Sequence, residues 1–227
     1  MKALLATLVA LAFAGFASAN VSVSGTGKVT YVPDLVHVAV GVSSDGKTAN
    51  EAWQKNEQVV QKLFEVLKTF GIDAKDMKTT GLNVSPRYVN HKDREPELVG
   101  YTATYDLNVT VRKLAEAGRV VDALVENGVN RNMSLAFGHS DLDRLMDEAR
   151  TKAAADARKK AELYVTASGA SLGQVLTISE GQSPLPQSFA FEARAVPGGK
   201  DMPIAGGTQD LTVNISVVYA INHAPRS

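Results

Sequence analysis

The chain of 227 residues contains no cysteine. That excludes a disulfide, a thiolate-held metal and a lipid carried on a leading cysteine. Charge of one sign is missing too: 24 basic residues stand against 24 acidic ones. No electrostatic field therefore points to nucleic acid or a strongly anionic surface as the partner. Long apolar runs are absent with one exception, the uncharged stretch from Ala3 to Ala17 that follows Lys2. It ends in Ala17-Ser18-Ala19, the small-x-small form read by signal peptidase. A transmembrane anchor is the alternative, but the run falls short of the roughly 20 residues that span a bilayer. The expectation is a cleaved signal peptide over residues 1–19, a mature chain from Asn20, a periplasmic location and no membrane-spanning segment after cleavage. Without disulfides, an exported chain must be stabilised by core packing or by assembly.

What is present alternates. Val21, Val23, Val29 and Tyr31 form one strand pattern, and Val36, Val38, Val40 and Val42 a second, punctuated by Pro33-Asp34. Thr48 with Glu51 three residues on is a capping box that opens a first helix, whose apolar face ends at Phe70 before Gly71. Residues 77–89 and 98–111 read as two long strands. In the second, Tyr101, Ala103, Tyr105, Leu107, Val109 and Val111 share one face and Thr102, Thr104, Asp106, Asn108 and Thr110 the other. A second helix is expected from Leu114 to Asn127 and a strand near 130–137. Ser140 is the expected cap of a third helix, with Asp141, Asp143, Asp147 and Glu148 early and Arg158, Lys159 and Lys160 late. Leu145, Ala149, Ala153, Ala157, Ala161 and Val165 recur every four residues along it, a stripe that permits close approach. Strands at 172–180 and 211–221 complete the set. The expected fold is α+β, a largely antiparallel sheet with three helices packed on it. Residues 20–227 make one domain, in which residues 181–210 form a long Pro/Gly-rich loop carrying Phe189 and Phe191. Loops of that length tend to have a function, and a neighbouring subunit is the expected cover for the two rings.

Tests for chemistry come back empty. Gly25-Thr26-Gly27-Lys28 imitates a phosphate loop, yet Ser22 stands where its first glycine belongs and Val29 where a hydroxyl should hold magnesium. A strand whose glycines admit close backbone approach is the better reading. His37, His91, His139 and His223 show no paired spacing on a helix. His139 with Asp141 and Asp143 is the strongest metal candidate, but these residues suit a helix start. Asp156 with Lys160, and Glu148 with Lys152, are spaced as ion pairs on a solvated helix face. Asn56, set among apolar positions, is expected to bond a backbone group. No serine sits in a nucleophile-elbow context. No catalytic, cofactor-binding or metal residue is assigned, and no cofactor is expected.

These pieces together resemble a known family. Val21 to Gly27 followed by Pro33-Asp34 is similar to the opening strands of the SIMPL-domain family. Asn56, Pro86-Arg87-Tyr88, Gly100-Tyr101, Asp156-Ala157-Arg158, Lys160-Ala161, Gly169 and Leu172-Gly173 fit the same pattern in order and spacing. The resemblance covers essentially the whole mature chain. It is strongest to the exported bacterial branch, which includes periplasmic immunogenic proteins, outer-membrane-associated members and proteins linked to oxidative-stress defence. It implies an α+β subunit able to build large ring- or channel-like homo-oligomers, and no established catalytic residues. The leading expectation is a non-enzymatic periplasmic homo-oligomer that supports envelope and oxidative-stress tolerance. The alternative is a monomeric or dimeric binding module for envelope proteins or small ligands. A detoxifying enzyme is the third reading, weakened by the absence of any catalytic constellation.

Overall fold

A computed structural model describes residues 19–181 and 204–222. The leader, except Ala19, therefore lies outside the described residues, as do His223 and the Phe189–Phe191 part of the long loop. The described chain runs β1 (Asn20–Tyr31), β2 (Leu35–Gly46), α1 (Ala49–Thr69), β3 (Met77–Val89), β4 (Glu97–Val111), α2 (Ala117–Glu126), β5 (Arg131–Gly138), α3 (Leu142–Ala167), β6 (Ser171–Glu180) and β7 (Gln209–Asn222). The fold is α+β as expected, with its strands in two antiparallel sheets: β1-β7-β6, and β3-β4-β2-β5. Adjacent in sequence, β1 and β2 do not pair with each other. By contacts, residues 19–27, 150–181 and 213–222 belong to one compact unit, and 28–149 and 204–212 to another.

In the second unit, strand alternation builds a row of apolar residues across the sheet. Val38 stands opposite Val109 on one side and Leu135 on the other, and all three are buried. Val60, Leu63 and Leu67 of α1 and Val120, Val121 and Leu124 of α2 join that core. Each helix commits one stripe to it, which is why both patterns were visible at helical spacing. The α1 cap forms as the sequence implied: Thr48 Oγ1 accepts from the Glu51 amide at 3.2 Å. The Glu51 carboxylate reaches back one residue further, to the amide of Lys47 at 2.8 Å. Ahead of α2, Leu114–Glu116 wind as a single 3-10 turn, so the α-helix proper starts at Ala117 and not at Leu114.

Asn56 is buried and its Nδ2 donates to the carbonyls of Val42 (3.2 Å) and Ala103 (3.1 Å), tying α1 to β2 and β4. Asp76 was not singled out from the sequence. It is buried and gripped by Arg112, whose Nε and Nη2 lie 2.7–3.1 Å from its oxygens. That grip, despite partial desolvation, holds the Asp76 carboxyl below its usual range.

The three helices share one ending. Gly71, Gly128 and Gly169 all have positive φ, and each follows the same two-bond pattern onto the last turn. Gly71 and Ile72, for example, donate to Lys68 (2.9 Å) and Leu67 (3.1 Å). In the first unit the alanine stripe is completely buried at Ala153, Ala157 and Ala161. A Cβ placed on Gly25 of β1 would meet the Ala153 carbonyl oxygen at 2.1 Å and the Ala157 Cβ at 2.7 Å. The false phosphate loop is thus a contact point between a strand and a helix.

Two glycine substitutions separate packing from backbone strain. Gly25→Ala is expected to lower stability by about 1–3 kcal/mol or more through overpacking. Gly71→Ala, at φ 70 with nothing within 4 Å of the new methyl, should cost about 1 kcal/mol from its left-handed backbone alone. Urea unfolding of both variants checks this; equal losses would show that β1 and α3 can part without penalty.

Candidate functional site

His37, His91, His139, Ser140 and Asp141 are occupied by local structure. His139 Nδ1 accepts from the Asp141 amide at 3.0 Å, and its ring meets Tyr31 edge-on at 5.7 Å. The Asp141 carboxylate takes Arg144 Nε at 2.6 Å. Ser140 is not the helix cap the sequence suggested. Its amide (2.7 Å) and its hydroxyl both donate to the Asp34 carboxylate, which fastens the turn after β1 to the start of α3. The Asp141 amide, just ahead of α3, donates instead to the histidine ring one residue before Ser140. His37 Nδ1 contacts Thr110 Oγ1 at 3.0 Å, while His91 lies among Arg94 and Glu97 on the β3–β4 turn. Among the described residues no three histidines or carboxylates gather as a metal site would require. On the polar face of the four-stranded sheet, Asp106 stands in register with Gly41 and Gly81. A Cβ at either glycine would sit 2.7 Å from one of its oxygens, so the two glycines make room for the carboxylate.

What the first unit presents is an asymmetric pair of sheet edges. At β1 the helix clamps two backbone groups of the strand. Asp156 Oδ2 accepts the Thr26 amide at 2.9 Å, Lys160 Nζ donates to the Ser24 carbonyl at 3.1 Å, and the two side chains meet at 2.6 Å. The pair read from spacing as a solvated ion pair thus serves as a clamp on strand backbone. Lys160, and then the Thr26 amide, hold the Asp156 carboxyl below its usual range. Glycine at position 25 lets the helix come close enough for both bonds.

Among the described residues no second strand lies along the β6 edge: β6 pairs only with β7, and register puts Val175 beside Tyr219 and Ile178 beside Val217 on one face. Tyr219 and Val217 are buried, yet Val175 is 47% and Ile178 60% exposed. The apolar face of the sheet therefore continues beyond what covers it. Leu176 on β6 and Leu163 and Tyr164 on α3 are exposed as well. Natural sheets blunt such edges with charge, proline or a covering element unless the edge has a use. In the second unit, Tyr88, Val89, Leu98 and Val99 expose a further apolar group on the β3–β4 hairpin. No helix among the described residues is long and apolar enough to cross a membrane.

Residues 21–219 match the model of the SIMPL family, described as a protein of unknown function (DUF541). A 26 kDa periplasmic immunogenic protein of Brucella melitensis is 34% identical over 212 residues, covering 89% of this chain and 85% of that protein. An uncharacterized protein YggE of Edwardsiella ictaluri is 31% identical over 159 residues, covering 70% and 66% respectively. Its counterpart in Escherichia coli is 27% identical over 181 residues, covering 78% and 73%.

The β1 clamp has a pH signature. Because the folded Asp156 carboxyl titrates below its unfolded value of about 3.9, its contribution is complete above that pH and is lost as pH falls through the folded value. Amide exchange at Thr26 should lose protection selectively at the acid end of this window. Asp156→Asn should weaken that protection already at neutral pH; a Thr26 amide indifferent to both would refute the clamp.

Proposed function

The chain belongs to the SIMPL family, and on that premise we propose that it is a non-enzymatic periplasmic protein that assembles with copies of itself into a large ring- or channel-like homo-oligomer supporting envelope and oxidative-stress defence. The observation that carries this reading is the β6 edge, along which no second strand lies among the described residues. Val175 and Ile178 extend an apolar sheet face into solvent, whereas the opposite edge of the same sheet is clamped by α3 at Ser24 and Thr26. A second copy is the simplest way to finish that face, and an unpaired strand offers backbone donors and acceptors along with it. The periplasmic part of the reading is supported by the name of the Brucella relative and by the leader-like pattern of residues 1–19. The non-enzymatic part is supported by the engagement of His37, His91, His139, Ser140 and Asp141 in local hydrogen bonds. In this reading stress tolerance comes from the assembled object in the envelope and not from turnover of an oxidant. With no cysteine, only methionine oxidation would offer the chain a direct redox role.

The test is solution mass. Light scattering on a sizing column, at two concentrations of residues 20–227, should give a mass many times that of one subunit. Ile178→Asp should reduce it to smaller species while the circular dichroism spectrum stays unchanged, since that side chain already faces water. A monomer at both concentrations would end the assembly reading and favour a monomeric binding module.

A further inference from the structure

The second unit contains a pocket that the assembly reading does not use. It is an open cavity of about 270 Å³ between α1 and strands β3 and β4. From α1 it is lined by Trp53, Asn56, Glu57 and Phe64, which recur at helical spacing, and from the strands by Leu82 and Tyr105. Three aromatic rings thus line one small space. Tyr105 is fixed by a hydrogen bond between its hydroxyl and Thr79 Oγ1.

Its polar groups include the acceptors of Asn56 and Glu57 beside the Gln61 amide, the Trp53 indole N–H and the Tyr105 hydroxyl. Asn56 is 2% exposed, and its orientation is set by Nδ2, which faces two carbonyl acceptors. Its Oδ1 therefore points away from them. No described residue donates to that oxygen, and it is not sealed from solvent. Glu57 has no hydrogen-bond or ion-pair partner among the described residues. None of the residues lining the cavity is a lysine, arginine or histidine. An unspent carbonyl and an unpaired carboxylate accompany the rings, with no cation among the lining to answer them.

Aromatic faces attract a cation through their quadrupoles, a carboxylate adds direct attraction, and apolar walls suit an alkylated nitrogen better than a hydrated metal. We propose that the α1–β3–β4 pocket binds a small free organic ammonium compound, with Trp53, Phe64 and Tyr105 around its cationic head and Glu57 as counter-charge. Asn56 Oδ1 accepts from any N–H or O–H that the compound carries. The size fits a compact molecule, since the cavity lies just under the roughly 300–1,000 Å³ typical of ligand pockets. This inference does not rest on self-assembly; it concerns a site within one copy.

Trp53 is the single tryptophan of the chain, so intrinsic fluorescence reads this pocket alone. Choline is the probe, compared with its uncharged isostere in which carbon replaces the quaternary nitrogen. Choline should change Trp53 emission saturably below about 10 mM, with the isostere at least about tenfold weaker. Glu57→Gln, at an exposed position, should weaken choline by about tenfold without moving the thermal midpoint. Calorimetric titration gives the same affinities without relying on the fluorophore. Equal binding of choline and isostere, indifference to Glu57→Gln, or no saturable response to choline would each overturn the proposal. A preparation that proves monomeric yet binds choline would uphold the pocket while the assembly reading fell.

Discussion

There is no room for a methyl group between β1 and α3 at Gly25, and the arrangement of the first unit depends on that closeness. A helix can lie on a strand at this distance only if both surfaces are small. The strand supplies a glycine and the helix a column of alanines buried at Ala153, Ala157 and Ala161. Proximity then brings Asp156 and Lys160 within reach of backbone groups that an edge strand would otherwise leave to water. One edge of the sheet is clamped at two backbone groups at little cost in side-chain volume. The narrow helix also explains what stays open: a face lined with alanine makes a small footprint, and Val175 and Ile178 on the far strand remain exposed.

In the second unit the comparable point is Asn56. A buried amide costs free energy unless it is bonded. Its two donor hydrogens satisfy carbonyls on two different strands, which fixes the helix in rotation and translation over the sheet. An amide has one oxygen as well as one nitrogen, and the oxygen has no partner among the described residues. The residue that positions the helix therefore also leaves an acceptor at the wall of the aromatic pocket, a coupling that an apolar residue at position 56 would not create.

The elements were legible in the sequence because their causes are local. Strand alternation, the Thr48 cap and the glycine that ends each helix act within a few residues, and each recurs in the structure where the pattern placed it. The α+β class followed from them. The missed features depend on partners distant in the chain. Asp76 and Arg112 are 36 residues apart, and nothing in either neighbourhood announces the pair. Asp156 and Lys160 were recognisable as partners, but their bonds to Thr26 and Ser24 span more than a hundred residues. Ser140 carried a genuine capping signal that lost to Asp34, an acceptor brought in by a turn early in the chain. The aromatic pocket was hidden for the opposite reason: Trp53 on an amphipathic helix looks like core, and only Leu82 and Tyr105 from the strands show where that core stops short.

The exposed apolar groups also constrain what kind of assembly is physically reasonable. Fully burying a valine, leucine or isoleucine is worth about 1.5–3 kcal/mol, and the three on β6 are already close to half buried. About 1 kcal/mol apiece remains to be gained there, less than the roughly 4–15 kcal/mol that association costs in lost freedom. Strand pairing adds hydrogen bonds at about 1 kcal/mol each net, which narrows the gap without making β6 alone a secure seam. A two-fold contact of β6 with β6 would stop at two copies. A head-to-tail contact, with the edge of one copy against a different surface of the next, engages a second patch on every subunit and closes on itself when the rotation allows. For the assembly proposed above, in a chain with no cysteine to cross-link it, many modest contacts repeated around a ring are the arrangement that fits this arithmetic.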